Sequence, residues 1–156
     1  MREIDCIVVH CSAGSQRQSA ADIVRFHTGK GNGCLGWSAP GYHFIVEADG
    51  SVVNTWPVER VSNGVKGHNS HIINVCWVGG LDLSKPKPYP AVDNRTPRQK
   101  EALREILRSL KAQFPAARIV GHRDFSVDRN GNGIIDPWER MKDCPCFDAI
   151  PEYSDL

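Results

Sequence analysis

Two histidines and a Cys-Pro-Cys hold the residue types best suited to chemistry in this chain. His10 closes the β-branched run Ile7-Val8-Val9, and His122 closes Ile119-Val120-Gly121. Toward the C-terminal end stands Lys142-Asp143-Cys144-Pro145-Cys146. Two imidazoles and one thiolate are good zinc ligands. Three protein ligands leave the fourth tetrahedral position open, which marks a catalytic rather than a structural site. A zinc ion so placed activates water for attack on an amide carbon. The spacing is not that of a zinc finger, and neither Cys-x-x-Cys nor His-Glu-x-x-His occurs. Spacing alone therefore does not establish the site.

A second ion-like pattern lies between His122 and the Cys-Pro-Cys. Asp128, Asn130, Asn132, Asp136 and Glu139 stand at positions 1, 3, 5, 9 and 12 of an EF-hand loop, with Gly133 at 6 and the Ile134 carbonyl at 7. This pattern predicts a calcium site. The alternative is a polar loop that uses Asp-Asn-Gly turn chemistry without metal. The flanks are not those of a full EF-hand, since only Pro137 to Met141 is suited to start a helix.

These groups need a scaffold, and the sequence describes one. Glu3 to His10, Asn74 to Gly80 and Ala117 to Gly121 read as strands, the first two buried. Gly41 to Val46 and Ser51 to Trp56 read as a hairpin about Asp49-Gly50. Simple alternation puts Tyr42 on one face with Phe44 and Val46, and His43 on the other with Ile45. Ser19 caps a short helix that buries Ala20, Ile23, Val24 and His27, with Asp22 as its capping-box partner. Thr96-Pro97-Arg98-Gln99 opens a longer helix with a Leu103, Leu107, Leu110 stripe, running to about Gln113. The expected fold is one α/β domain over residues 1–156, a central mixed sheet flanked by helices, with residues 128–139 inserted.

Composition narrows the function classes. The chain has 156 residues, 40% hydrophobic and 24% charged, with a formal net charge of +1. That balance offers no case for a nucleic-acid surface, and no apolar run approaches the ~20 residues that span a bilayer. Acidic residues sit where a signal peptide carries basic ones, so the expectation is a protein cytoplasmic as synthesised. Six cysteines do not read as a disulfide framework: Cys6 and Cys76 fall inside apolar strand-like runs, as small buried hydrophobes do.

Six motifs occur in order: Val9-His10-Cys11-Ser12; Gly36-Trp37 with Gly41-Tyr42-His43-Phe44; Gly67-His68-Asn69; Val75-Cys76-Trp77-Val78-Gly79-Gly80; Gly121-His122-Arg123-Asp124; and Lys142-Asp143-Cys144-Pro145-Cys146-Phe147-Asp148. Together, over about residues 4–148, they resemble the type 2 N-acetylmuramoyl-L-alanine amidases, the family of bacteriophage T7 lysozyme and the peptidoglycan recognition proteins. The resemblance implies a zinc enzyme that cuts the amide between the lactyl group of N-acetylmuramic acid and L-alanine. It implies His10, His122 and Cys144 as zinc ligands, leaving Cys146 on a variable position, and Tyr42 and Lys142 as catalytic groups. Trp37, His68 and Asn69 become candidate substrate contacts. Many relatives carry Gly-Ala-His where this chain has Ser62-Asn63-Gly64, so one family histidine is absent. The implied setting is a monomeric phage or prophage endolysin released by a holin or a dedicated export system. A non-catalytic peptidoglycan-binding module and a cytoplasmic muropeptide-recycling amidase are the alternatives. A phage-type RNA polymerase partner has no support in these residues.

Overall fold

The computed structural model describes residues 1–156. Its centre is two parallel strands, β1 (Cys6–Cys11) and β4 (Ile72–Trp77), each buried along its full length. Strands covered on both faces need apolar side chains at nearly every position, which is why both read as continuous hydrophobic runs. β5 (Arg118–Gly121) pairs parallel with β1, and β2 (Phe44–Val46) pairs parallel with β4. β3 (Val52–Asn54) closes the sheet antiparallel to β2, in the order β3-β2-β4-β1-β5.

The two faces differ. On one, Ile7, Val9, Ile73, Val75 and Trp77 pack on Leu103, Leu107 and Leu110 of α2 (Pro97–Gln113) in the main core. α2 starts as its capping box requires, with reciprocal Thr96 and Gln99 bonds. The buried Gln99 amide also donates to the Val46 and Val78 carbonyls, which fixes the helix to the sheet. On the other face, α1 (Ala20–Thr28) lays Ala20 and Ile23 on Ile45, Cys76 and Val78. Its predicted Ser19–Asp22 box is present. Cys6, Val8, Ile72 and Val120 form a further cluster with Val65 on that face. Pleating puts His10 and Asn74 on this second face too. A short α3 (Ala149–Glu152) packs near β5.

Four expectations need correction. β2 begins only at Phe44, so strand alternation does not reach Tyr42. Phe44 and Val46 pack on the α2 side, whereas Tyr42 packs with the Ile45 cluster. The return strand is shorter than Ser51 to Trp56, and β4 lies earlier than Asn74 to Gly80. Gly79 and Gly80 fall beyond β4 with φ of 141° and 104°, where a Cβ on Gly80 would sit 2.8 Å from Cys11 Sγ. Pro137–Glu139 forms a single 3-10 turn and no helix.

Candidate active site

β1, β4 and β5 run parallel, so their C-terminal ends share one edge of the sheet. The crevice beyond such an edge is where open α/β sheets build their sites. His10 lies one residue from the end of β1, and His122 follows β5 in a 3-10 turn, His122–Phe125. The Cys144 segment is tied to the same edge. Arg123 N–H donates to the Cys144 carbonyl (2.9 Å), and Trp77 Nε1–H to the Pro145 carbonyl (3.1 Å). Gly121 has no room for a side chain, because a Cβ there would lie 2.7 Å from Pro145 Cδ.

The result is a three-residue cluster drawn from residues 134 positions apart. His10 Nδ1 and His122 Nδ1 are 3.0 Å apart, and Cys144 Sγ lies 3.8 Å from His10 Nδ1. The three donor atoms all lie within 4.8 Å of one another, and no other His, Cys, Asp or Glu group converges in this way. Tetrahedral zinc with ordinary bond lengths separates two nitrogens by about 3.3 Å and a nitrogen from a sulfur by about 3.6 Å. The observed spacings are close to both. Burial lowers the pKa of His10 to about 4 and that of His122 to about 3, so both imidazoles are neutral near pH 7 and keep a lone pair for a metal. Cys11 N–H donates to Cys144 Sγ (3.2 Å), which suits a thiolate at that position. The donor set therefore fits zinc. Cys146 points elsewhere: its Sγ faces Cys11 Sγ at 3.6 Å and the Gly80 carbonyl at 3.5 Å.

A cleft of about 380 Å³ opens over the cluster, with Tyr42, Trp37 and Lys142 among its walls. The Tyr42 ring centroid is 5.1 Å from that of His10. Burial holds the Tyr42 phenol well above its ordinary pKa, so it remains a hydrogen-bond donor. Lys142 is exposed at the cleft edge. A second hollow of about 570 Å³ shares Trp37, His122 and Lys142 with the first and adds Lys66, Asn69 and Met141. Of the candidate substrate contacts, Trp37 and Asn69 thus line the groove. His68 lies outside it, exposed, with its ring 4.7 Å from that of Phe125.

Two supporting histidines carried no such signal in the sequence. His27 read only as part of a buried helix face. It stacks on Trp37 with centroids 5.0 Å apart and planes at 16°, and its Nδ1 accepts from Gly41 N–H. His43 is fully buried and bonded on both ring nitrogens. Asn74 went unnoticed too, although a polar residue inside Ile72-Ile73-Asn74-Val75-Cys76-Trp77 was the available clue. A buried polar group is more informative than a buried apolar one.

The 128–139 insertion forms a compact turn. Asp128 accepts from the N–H groups of Gly131 and Gly133, and Glu139 from those of Arg129, Asn130 and Asp136. The Asn130 and Asn132 amides donate to Asp136. The oxygens expected to face calcium are thus engaged within the loop. No helix in the molecule is long and apolar enough to cross a membrane.

A mixed sheet thus carries at its carboxyl edge a His-His-Cys group suited to hold a metal ion, and the comparisons with known proteins give the family. The family described as N-acetylmuramoyl-L-alanine amidase matches residues 1–146, and the chain belongs to that family. The endolysin of Klebsiella phage KP32 is 35% identical over 149 residues, covering 94% of this chain and 83% of that protein. The endolysin of Escherichia phage T7 is 35% identical over 146 residues, covering 92% and 82%. Among solved structures, the Ph2119 endolysin of a Thermus scotoductus bacteriophage superposes with a TM-score of 0.70 at 24% identity, over 99% of this chain and 85% of that one. That likeness supports the fold.

Proposed function

We propose that this protein is a zinc-dependent N-acetylmuramoyl-L-alanine amidase of the phage endolysin type. It would hydrolyse the amide between the lactyl group of N-acetylmuramic acid and the L-alanine of the peptidoglycan stem. The observation that carries this reading is the convergence of His10, His122 and Cys144 beneath a cleft walled by Tyr42 and Lys142. When bound, zinc supplies Lewis-acid activation of the attacking water. His10 and His122, neutral through burial, hold the metal with Cys144. Tyr42, protonated, donates a hydrogen bond to the carbonyl oxygen as negative charge develops there. Lys142 brings its ammonium to the same oxygen from the cleft edge. Trp37, braced by His27, offers a flat apolar face to the substrate, and Asn69 a polar one. The protein would meet its substrate after release by a holin or a dedicated export system.

The test is metal analysis of the purified protein together with mass spectrometry of products from purified sacculi. One equivalent of zinc and new L-alanine amino termini are expected. A protein that holds zinc poorly, or releases sugars without free L-alanine termini, would sink the reading.

The insertion is proposed separately as a calcium loop, on its residue pattern. Calcium would replace the Asn-to-Asp136 bonds and brace the segment leading to Lys142. Calcium should raise the melting temperature of the wild type and leave Asp128→Ala unmoved. Equal shifts in the two, or none in either, would reject it.

A further inference from the structure

The departure at Ser62-Asn63-Gly64 has a counterpart across the core. Asn74 is fully buried in the middle of β4, and its amide reaches into the space beside Gly64. A Cβ on Gly64 would meet Asn74 Cγ and Oδ1 at 2.2 Å, so the glycine is what gives the asparagine room. Asn74 Oδ1 lies 2.8 Å from His10 Nε2, on the far side of the ring from the metal-facing Nδ1. Asn74 Nδ2 lies 2.9 Å from Ser62 Oγ, and Ser62 is also fully buried.

The direction of each bond follows from its neighbours. His43 Nδ1 accepts from the backbone N–H of Asn74 (3.0 Å), while His43 Nε2–H donates to the Arg60 carbonyl (2.9 Å). With His43 Nδ1 filled, the single Ser62 hydroxyl proton goes to the Gly41 carbonyl (3.2 Å). Ser62 Oγ is then an acceptor, which turns the Asn74 amide nitrogen toward it and the amide oxygen toward His10. An oxygen there can only accept, so His10 carries its proton on Nε2 and presents the Nδ1 lone pair to the metal cluster. Outer partners of this kind fix the tautomer and orientation of a ligand histidine. The same chain ends on the Gly41 carbonyl, one residue before Tyr42.

We propose that Asn74, oriented by Ser62 and accommodated by Gly64, is a positioning residue that selects the Nε2–H tautomer of His10 for zinc binding. The proposal rests on the zinc reading above. None of the six motifs includes position 74, and Asn74 does not line the cleft.

Three variants and one wild-type measurement decide it. Zinc affinity is measured on the full chain by competition with a chromophoric chelator. Losing an outer partner of a ligand typically costs about 10- to 100-fold in affinity, and Asn74→Ala should lose that much. Gly64→Ala, which displaces the amide, should move the same way. Asn74→Asp keeps an acceptor at His10 Nε2 and should return affinity to within a few-fold of wild type. A purely structural role for Asn74 would not produce rescue by a buried carboxylate. Long-range ¹H–¹⁵N NMR of the metal-free wild type should place the His10 proton on Nε2. Wild-type affinity in Asn74→Ala, no recovery in Asn74→Asp, or a His10 proton on Nδ1 each overturns the proposal. The NMR result needs neither zinc nor a stable variant. If the wild type binds no zinc the amidase reading fails, yet the tautomer still tests Asn74.

Discussion

Replacing Cys144 by alanine should abolish stoichiometric zinc and cut amide hydrolysis by on the order of 10³-fold or more, while Cys146→Ala retains both. The magnitude follows from the role. Lewis-acid stabilisation of the developing charge is worth several kcal/mol, and each 1.36 kcal/mol is tenfold in rate. Two histidines alone would bind the ion far more weakly, since a coordinating thiolate contributes charge as well as geometry. The two cysteines stand two residues apart, yet their sulfurs face different neighbours. Cys144 Sγ lies 3.8 Å from His10 Nδ1, whereas Cys146 Sγ is directed at Cys11 and the Gly80 carbonyl. Metal content and initial rates on purified sacculi measure the pair. Equal zinc in Cys144→Ala and wild type would show that the ion is held elsewhere. Loss of zinc in Cys146→Ala would exchange the roles assigned to the two thiols.

The ligand assignment is asymmetric in how it was legible. β-Branched runs that end in histidine announce strands whose tips face a crevice, and this holds for β1 and β5. Capping boxes at Ser19 and Thr96 placed α1 and α2 at their observed starts. Local rules of this kind act within about four residues, so a sequence displays them directly. What a sequence does not display is who meets whom across the sheet. The bond from His10 to Asn74 spans 64 positions, and the approach of His10 to His122 spans 112. His27 looked like an ordinary buried helix residue because its partner Trp37 sits in a loop whose path no periodicity describes. Tyr42 was put on the wrong face for a related reason. Strand pairing is assigned only from Phe44, and the Tyr42 carbonyl accepts from the Thr55 side-chain hydroxyl, so the period of two starts later than the apolar pattern does. His68 and Asn69 are adjacent in one loop and diverge. Asn69 Oδ1 accepts from Val65 N–H and faces the groove, while His68 turns to Phe125.

The second large effect concerns the groups that act on the oxyanion. Tyr42→Phe removes one hydroxyl from a ring already packed between His10 and His27, with centroids 5.1 and 5.4 Å away. The ring stays, so zinc content and KM should change little. The lost donor should lower kcat by about 10²- to 10³-fold, the usual cost of one oxyanion-hole hydrogen bond. Lys142→Met keeps the length of the side chain and removes its charge, and it should act in the same direction. Lys142 is exposed at the cleft edge, where water screens its field, so its effect should be the smaller of the two. If both groups serve the same oxygen, the double variant should lose less than the product of the single losses. Steady-state kinetics on a soluble muropeptide resolves these cases. A raised KM with unchanged kcat in Tyr42→Phe would make the phenol a substrate-binding group. Strict multiplicativity in the double variant would place Tyr42 and Lys142 on different atoms of the reacting amide, with the lysine then free to act on the departing amine.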